Sequence, residues 1–141
     1  MGGPAGHPAL AAGLRGTARA VVGEADTAAA LGSGDVPVLG TPRLLALAEA
    51  ATVAALSGRL APGDTSVGTS VAVRHRRPSP VGSAVVVEAE LTEVDGSRLT
   101  FTFTARSEEP DQAIGPDRAT QASGQRRVTR GPAHHRDAVM R

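Results

Sequence analysis

The sequence predicts an α+β domain in which one central helix is cradled by a curved antiparallel sheet. Three observations predict it. Between Leu44 and Leu56 every position except Glu49 and Thr52 is Leu, Ala or Val, so a helix there has no polar face and belongs in a core. Two stretches, Ala84 to Val94 and Leu99 to Ala105, alternate apolar and polar residues with the period of a strand. Between them stands Asp95-Gly96, a hairpin turn signal.

The elements follow in order. The first dozen residues are mostly Gly, Pro and Ala, and the last thirty mix Gly, Pro, Arg, His and Gln without periodicity. Both ends read as loosely ordered, with a domain over residues 13–130, a flexible start over 1–12 and a flexible tail over 131–141. Leu14 to Val22 is expected as the first strand, and Asp26 to Leu31 as a short helical turn stopped by Gly32-Ser33-Gly34. A loop through Val36 to Gly40 leads to Thr41-Pro42, where Thr is a good cap for free backbone N–H groups and Pro suits the first helical turn. The helix is expected from Pro42 to about Ser57, ended by Gly58 and then Pro62-Gly63.

Ser66 to Arg74 is the next strand, and alternation puts Val71, Val73 and His75 on one face. In the following hairpin Val85, Val87, Ala89 and Leu91 share one face, and Leu99, Phe101, Phe103 and Ala105 form its dry counterpart. A weaker strand signal lies at Gly124 to Thr129. One helix against about five strands leaves apolar surface over, which a two-fold homodimer would cover most economically.

Composition bounds the function. A 141-residue chain is one domain by size and buries roughly 70% of its unfolded surface. Its core is aliphatic, since Trp and Tyr are absent and Phe101 and Phe103 are the only aromatic residues. The absence of Cys excludes disulfides, thiolate metal sites and a cysteine nucleophile. No phosphate-cradling G-x-x-x-x-G-K-[ST] loop, no G-x-S-x-G elbow and no metal-spaced His pair occurs, which argues against nucleotide hydrolysis and serine hydrolase chemistry. The longest apolar run is too short to span a bilayer and no signal segment opens the chain, so a cytoplasmic protein without a membrane partner is expected. All fifteen basic side chains are Arg, yet net charge is +1 and no spare aromatic rings exist for stacking, so no nucleic-acid partner is expected.

Four features stand out as candidates. Glu49 is the sole ionisable residue between Arg43 and Arg59, set mid-helix among apolar neighbours. A carboxylate removed from water is costly unless paired or protonated, so it either finds a solvent gap or salt bridge, or it is a general base or nucleophile. His75, on the inward face of its strand, is either structural or a partner that orients that acid. Thr41 is a helix cap, and an exposed helix start is also where a developing oxyanion is stabilised. It lies eight residues from Glu49, about 12 Å along a straight helix, so the two cannot bond directly and either frame one substrate from two sides or meet across a dimer interface. Arg74, Arg76 and Arg77 are a solvated strand end or a phosphate contact.

From Gly13 to about Ser107 the chain resembles the fluoroacetyl-CoA thioesterase family of hotdog proteins. The resemblance is carried by Val38-Leu39-Gly40-Thr41-Pro42, by Leu47-Ala48-Glu49-Ala50-Ala51, by Ser66-Val67-Gly68-Thr69 and by Val71-Ala72-Val73-Arg74-His75. It implies a hotdog fold, a homodimer, and hydrolysis of a small or medium acyl-CoA without metal or other cofactor. It also implies catalytic roles for Thr41, Glu49 and His75, with Glu49 as nucleophile or general base, and a place for the Gly68 backbone at the thioester. Arg74, Arg76 and Arg77 are then candidates for the CoA phosphates, on charge alone. Two departures are visible: Leu31 to Leu39 holds no aromatic residue where the fluoroacetate-specific enzyme has an aromatic lid, and Gly115 to Gln121 reads as an insertion before a last strand at Ser123 to Thr129. The alternative from another class is a non-catalytic hotdog module that binds an acyl or other small ligand.

Overall fold

The computed structural model describes residues 10–75, 78–108 and 120–130. Five strands form one antiparallel sheet: β1 (Arg15–Val21), β2 (Asp64–Val73), β3 (Ala84–Asp95), β4 (Arg98–Glu108) and β5 (Thr120–Arg130). The spatial order is β1-β3-β4-β5-β2, so the chain crosses from one edge strand to the other between β1 and β2. A 3₁₀ turn (Glu24–Asp26), a short α1 (Ala28–Leu31) and the long α2 (Thr41–Ala55) occupy that crossover. The sheet curls around α2, which gives the expected α+β architecture.

Alternation built the hairpin as expected. Val85, Val87, Ala89 and Leu91 of β3 are buried, as are Leu99, Phe101, Phe103 and Ala105 of β4. Both rings lie in this layer, stacked with centroids 6.4 Å apart. Gly96, at φ 59°, and Ser97 make the two-residue turn, glycine first as a type II′ hairpin requires.

Helix α2 packs on β1 and β3, and against β1 it approaches the strand backbone directly. Its buried face is Leu44, Leu47, Ala48, Ala51, Thr52 and Ala55. Opposite Ala51 and Ala55 stands Gly16, where an added Cβ would lie 2.3 Å from the Ala51 carbonyl oxygen and 2.2 Å from the Ala55 nitrogen. The helix backbone therefore rests on the strand backbone, and only glycine fits.

Three expectations are corrected. The helix is not buried all round: Ala46, Ala50, Val53 and Ala54 line an exposed stripe, because the sheet covers one side of α2 only. Thr41 is not the cap. Gly40 takes that position, its carbonyl accepting from the Arg43 and Leu44 N–H groups, so Thr41 starts the helix and its hydroxyl is released for another partner. The weak signal at Gly124 to Thr129 belongs to a full interior strand, β5, which pairs β4 on one side and β2 on the other.

Replacing Gly16 with Ala forces the helix off the sheet and should cost at least about 2 kcal/mol. Urea unfolding measures it, with Gly23→Ala as the control, since an added Cβ there meets its nearest atom at 3.5 Å. A Gly16→Ala midpoint equal to that of the control would refute the direct seating.

Candidate functional site

The local chain places Thr41 through a set of backbone bonds. The Gly40 N–H donates to the Asp26 carbonyl at 2.8 Å, and the Leu39 N–H donates to the Ser79 carbonyl at 2.8 Å. Gly40 lies so close to α1 that an added Cβ would be 3.2 Å from Ala28 backbone atoms. Asp26 reinforces the join: its carboxylate accepts from the Gly23 N–H at 2.8 Å and from Arg43 Nε at 2.9 Å. These contacts hold the Asp26 carboxyl below its ordinary range, the Gly23 N–H most of all, with Arg43 assisting against partial burial.

The Thr41 hydroxyl freed from capping meets His75. Its Oγ1 lies 3.0 Å from His75 Nδ1. His75 stands two residues past the end of β2, half-buried as Val71 and Val73 are, while Ala72 and Arg74 face solvent. The inward placement expected from alternation holds. The pair opens onto a cavity of about 240 Å³ walled by Ala28, Val36, Val38, Leu39 and Pro78. A hydroxyl against an imidazole can pass its proton to the ring and later recover it, the arrangement that activates an oxygen or holds a water.

Glu49, two turns along α2, belongs to a second cluster. Its carboxylate Oε2 lies 3.6 Å from Arg126 Nη1, and its side chain is 49% exposed, against 8% for Arg126. Of the alternatives open for Glu49, the solvent gap and the salt bridge are both present, because Glu49 falls on the uncovered stripe of α2, at the level where β5 presents a cation. Gly68 stands directly across the β2–β5 ladder from Arg126. A Cβ on Gly68 would come 3.1 Å from Glu49 Oε2, so the missing side chain is what lets the carboxylate lie against the strand. Just beyond, the ladder register shifts between Gly68 and Ser70, and the Thr69 hydroxyl donates to the Gln125 carbonyl at 3.1 Å.

The structure thus joins Thr41 to His75, and Glu49 to Gly68. Arg74 is exposed beside the first pair, whereas Arg76 and Arg77 lie outside the described residues. Arg126 is the functional candidate that sequence reasoning missed. The signal was there: a charged residue in phase with Ala122, Gly124 and Val128 on the inward side of β5. Among the described residues no group of three or more His, Asp or Glu is arranged to hold a metal ion, and no helix is long and apolar enough to cross a membrane.

Residues 22–122 match the model of a family described as fluoroacetyl-CoA-specific thioesterases. A fluoroacetyl-CoA thioesterase from Streptantibioticus cattleyicolor is 40% identical over 68 residues, 48% of this chain and 49% of that one, so the match spans about half the length of that relative. A solved threonine-to-serine variant of a fluoroacetyl-CoA thioesterase, in complex with acetyl-CoA, superposes with a TM-score of 0.77 at 27% identity, over 93% of this chain and 98% of that one. A hot-dog-like protein from Thermanaerovibrio acidaminovorans superposes at 0.74 with 18% identity, over 92% and 90% of the two chains, a likeness of fold. The expected hotdog fold is borne out by these likenesses.

The Asp26–Arg43 contact has a testable sign. A carboxyl whose folded pKa lies below its ordinary value near 3.8 contributes stability above that value and loses it as pH falls through the folded pKa. Asp26→Asn should therefore destabilise the chain at pH 7, with the gap to wild type closing progressively below about pH 4 in urea titrations. A gap that persists unchanged at pH 2 would contradict the ionic contribution.

Proposed function

The chain belongs to the fluoroacetyl-CoA-specific thioesterase family, and from that premise we propose that it hydrolyses a small or medium acyl-CoA to the free acid and CoA. The observation that carries the reading is the Glu49 carboxylate, held at the Gly68 backbone and facing open space rather than core. Glu49 either takes a proton from water as that water attacks the thioester carbonyl, or attacks the carbonyl itself to give an anhydride that water then opens. In both routes the C–S bond breaks and the CoA thiolate leaves, to be protonated. Thr41 and His75, bonded to each other at the start of α2, supply the proton traffic and a donor for the developing oxyanion.

The acyl group is expected to be aliphatic. The described wall beside Thr41 and His75 is Ala28, Val36, Val38, Leu39 and Pro78 with Ser33 at one side, without a charged side chain or an aromatic ring to close it. CoA phosphates are expected at Arg74, just past the end of β2, and, on charge alone, at Arg76 and Arg77, which lie outside the described residues, since a guanidinium fork suits a phosphate. A homodimer belongs to the same reading. The α2 stripe of Ala50, Val53 and Ala54 borders a groove of about 460 Å³ with Leu56, Leu60 and Thr65, and among the described residues β2 is paired on one side only. A second copy would cover both. The cytoplasm is the proposed compartment, where acyl-CoA esters are at hand.

The rival is a non-catalytic module that binds an acyl or other ligand, favoured by the Glu49–Arg126 ion pair, since a paired carboxylate has a structural role without any chemistry.

Free-thiol release from short, branched and aryl acyl-CoA esters separates the two. Wild type should release CoA, fastest from an aliphatic ester, and Glu49→Gln should lose about 100-fold or more in kcat while keeping its circular dichroism spectrum. Equal turnover by both proteins would remove Glu49 from the mechanism, and no release from any ester would favour the binding module. For the assembly, light scattering on the eluting protein should give twice the 14.2 kDa chain mass. A mass of one chain at micromolar concentration would exclude the dimer.

A further inference from the structure

Asp26 ties the 3₁₀ turn to the start of α2 with every polar atom it has. Two of its bonds close the turn itself: its N–H donates to the Gly23 carbonyl at 3.1 Å, and Oδ2 accepts from the Gly23 N–H at 2.8 Å. The other two reach the helix. The Asp26 carbonyl accepts from the Gly40 N–H at 2.8 Å, and Oδ1 accepts from Arg43 Nε at 2.9 Å. Gly40 and Arg43 flank Thr41-Pro42, so one residue outside the helix grips its first turn both ahead of Thr41 and behind it.

That grip falls where α2 most needs it. A helix start leaves backbone N–H groups without intrahelical partners, and the end frays unless something holds it. No side chain caps α2, because Gly40 has none to offer. Nor is there room for one, since a Cβ on Gly40 would stand 2.9 Å from Leu31 Cδ1 and 3.2 Å from the Ala28 backbone. Arg43, for its part, is a cation at the end of a helix where the dipole favours negative charge, so for α2 alone it is an unfavourable choice. Its use lies in the contact with Asp26. An ion pair of two swinging surface chains fixes little, but here the carboxylate is anchored by its second oxygen and its side chain is only 23% exposed.

We propose that Asp26 and Arg43 are positioning residues for Thr41, their bond fixing the first turn of α2 so that the Thr41 hydroxyl stays 3.0 Å from His75 Nδ1. The proposal rests on the catalytic reading of the Thr41–His75 pair. Asp26 acts through Gly40 and Arg43, and these act through the turn that carries Thr41.

Arg43 allows the bond to be tested by a matched pair of substitutions. Counted along the side chain, Gln places its amide nitrogen where Arg has Nε, whereas Met places a methyl carbon there and no donor. Three readouts are taken on the full chain. They are kcat for thiol release from the best ester of the panel, the Kd of its non-hydrolysable thioether analogue, and the NMR signal of His75 Nδ1, assigned by its loss in His75→Gln. Thr41→Val supplies the position of that signal without the hydroxyl. Arg43→Met should lower kcat by about tenfold and move the His75 signal toward the Thr41→Val position, while the analogue's Kd stays within about threefold. Arg43→Gln should hold kcat within about threefold of wild type, with the His75 signal unmoved. Wild-type kcat in Arg43→Met would overturn the proposal. So would an equal loss in both variants, which would assign the effect to the charge of Arg43 rather than to its bond. Analogue affinity that weakens in step with kcat would mean that Arg43 holds CoA directly, which also overturns it. Thr41→Val separates the failures: an inactive Thr41→Val beside a fully active Arg43→Met overturns the brace alone, whereas full turnover in Thr41→Val removes the catalytic reading beneath it.

Discussion

The seating of α2 on β1 is the constraint from which the rest follows. At Gly16 the strand offers no side chain, and the backbones at Ala51 and Ala55 occupy the space where one would be. A helix pressed this close can neither roll nor slide without a clash, so its azimuth is set by that contact. Once the Ala48, Ala51 and Ala55 side faces the sheet, Ala46, Ala50, Val53 and Ala54 must face away, and Glu49 comes with them. The direction of the acid is thus decided by small residues on the other side of the helix. An aliphatic core nearly free of rings is consistent with this design, because Ala and Gly permit the close approach and the two Phe residues fill the layer under the hairpin.

The second determinant is electrostatic. A buried guanidinium must recover what it loses in leaving water, and Arg126 does so from three atoms on two elements: the Ser66 hydroxyl, the Ser66 carbonyl and the Glu49 carboxylate. These contacts link β5, β2 and α2 at one point. They also explain why β2 carries Ser66 and Gly68 where an ordinary strand would prefer larger residues: Ser66 supplies the acceptors and Gly68 makes room. At the other end of α2 an analogous economy applies. Because Gly40 caps the helix through its backbone, Thr41 keeps its hydroxyl for His75.

The sequence made the hairpin and the central helix legible because each obeys one simple period over ten residues or so. Thr41, His75 and Gly68 were legible as candidates, and the structure places the first two in contact. What stayed hidden depends on partners distant in sequence. β5 looked weak because its inward positions include Gly124 and Arg126: the first packs against the Phe103 ring and the Ser70 carbonyl, and the second serves Glu49. Neither is a hydrophobic residue, so an alternation read from apolar residues alone passes over them. The half-exposure of Glu49 was hidden for a related reason, since an all-apolar helix sequence does not say that only one of its faces meets the sheet. The uncapped Thr41 was misread because Thr before Pro is a good cap signal locally, whereas the backbone bond from Gly40 to Asp26 shifts the cap by one residue.

The exposed stripe of α2 and the position of Glu49 are linked. Ala46, Ala50, Val53 and Ala54 surround the acid on the face that the sheet leaves open. In the proposed dimer a second copy covers this stripe, and Glu49 is then withdrawn from solvent while Arg126 remains its partner. Such a contact would set the open side of α2, with the acid upon it, against protein in place of solvent. The stripe that would seat a second copy and the acid of the candidate site thus lie on the same few helix positions.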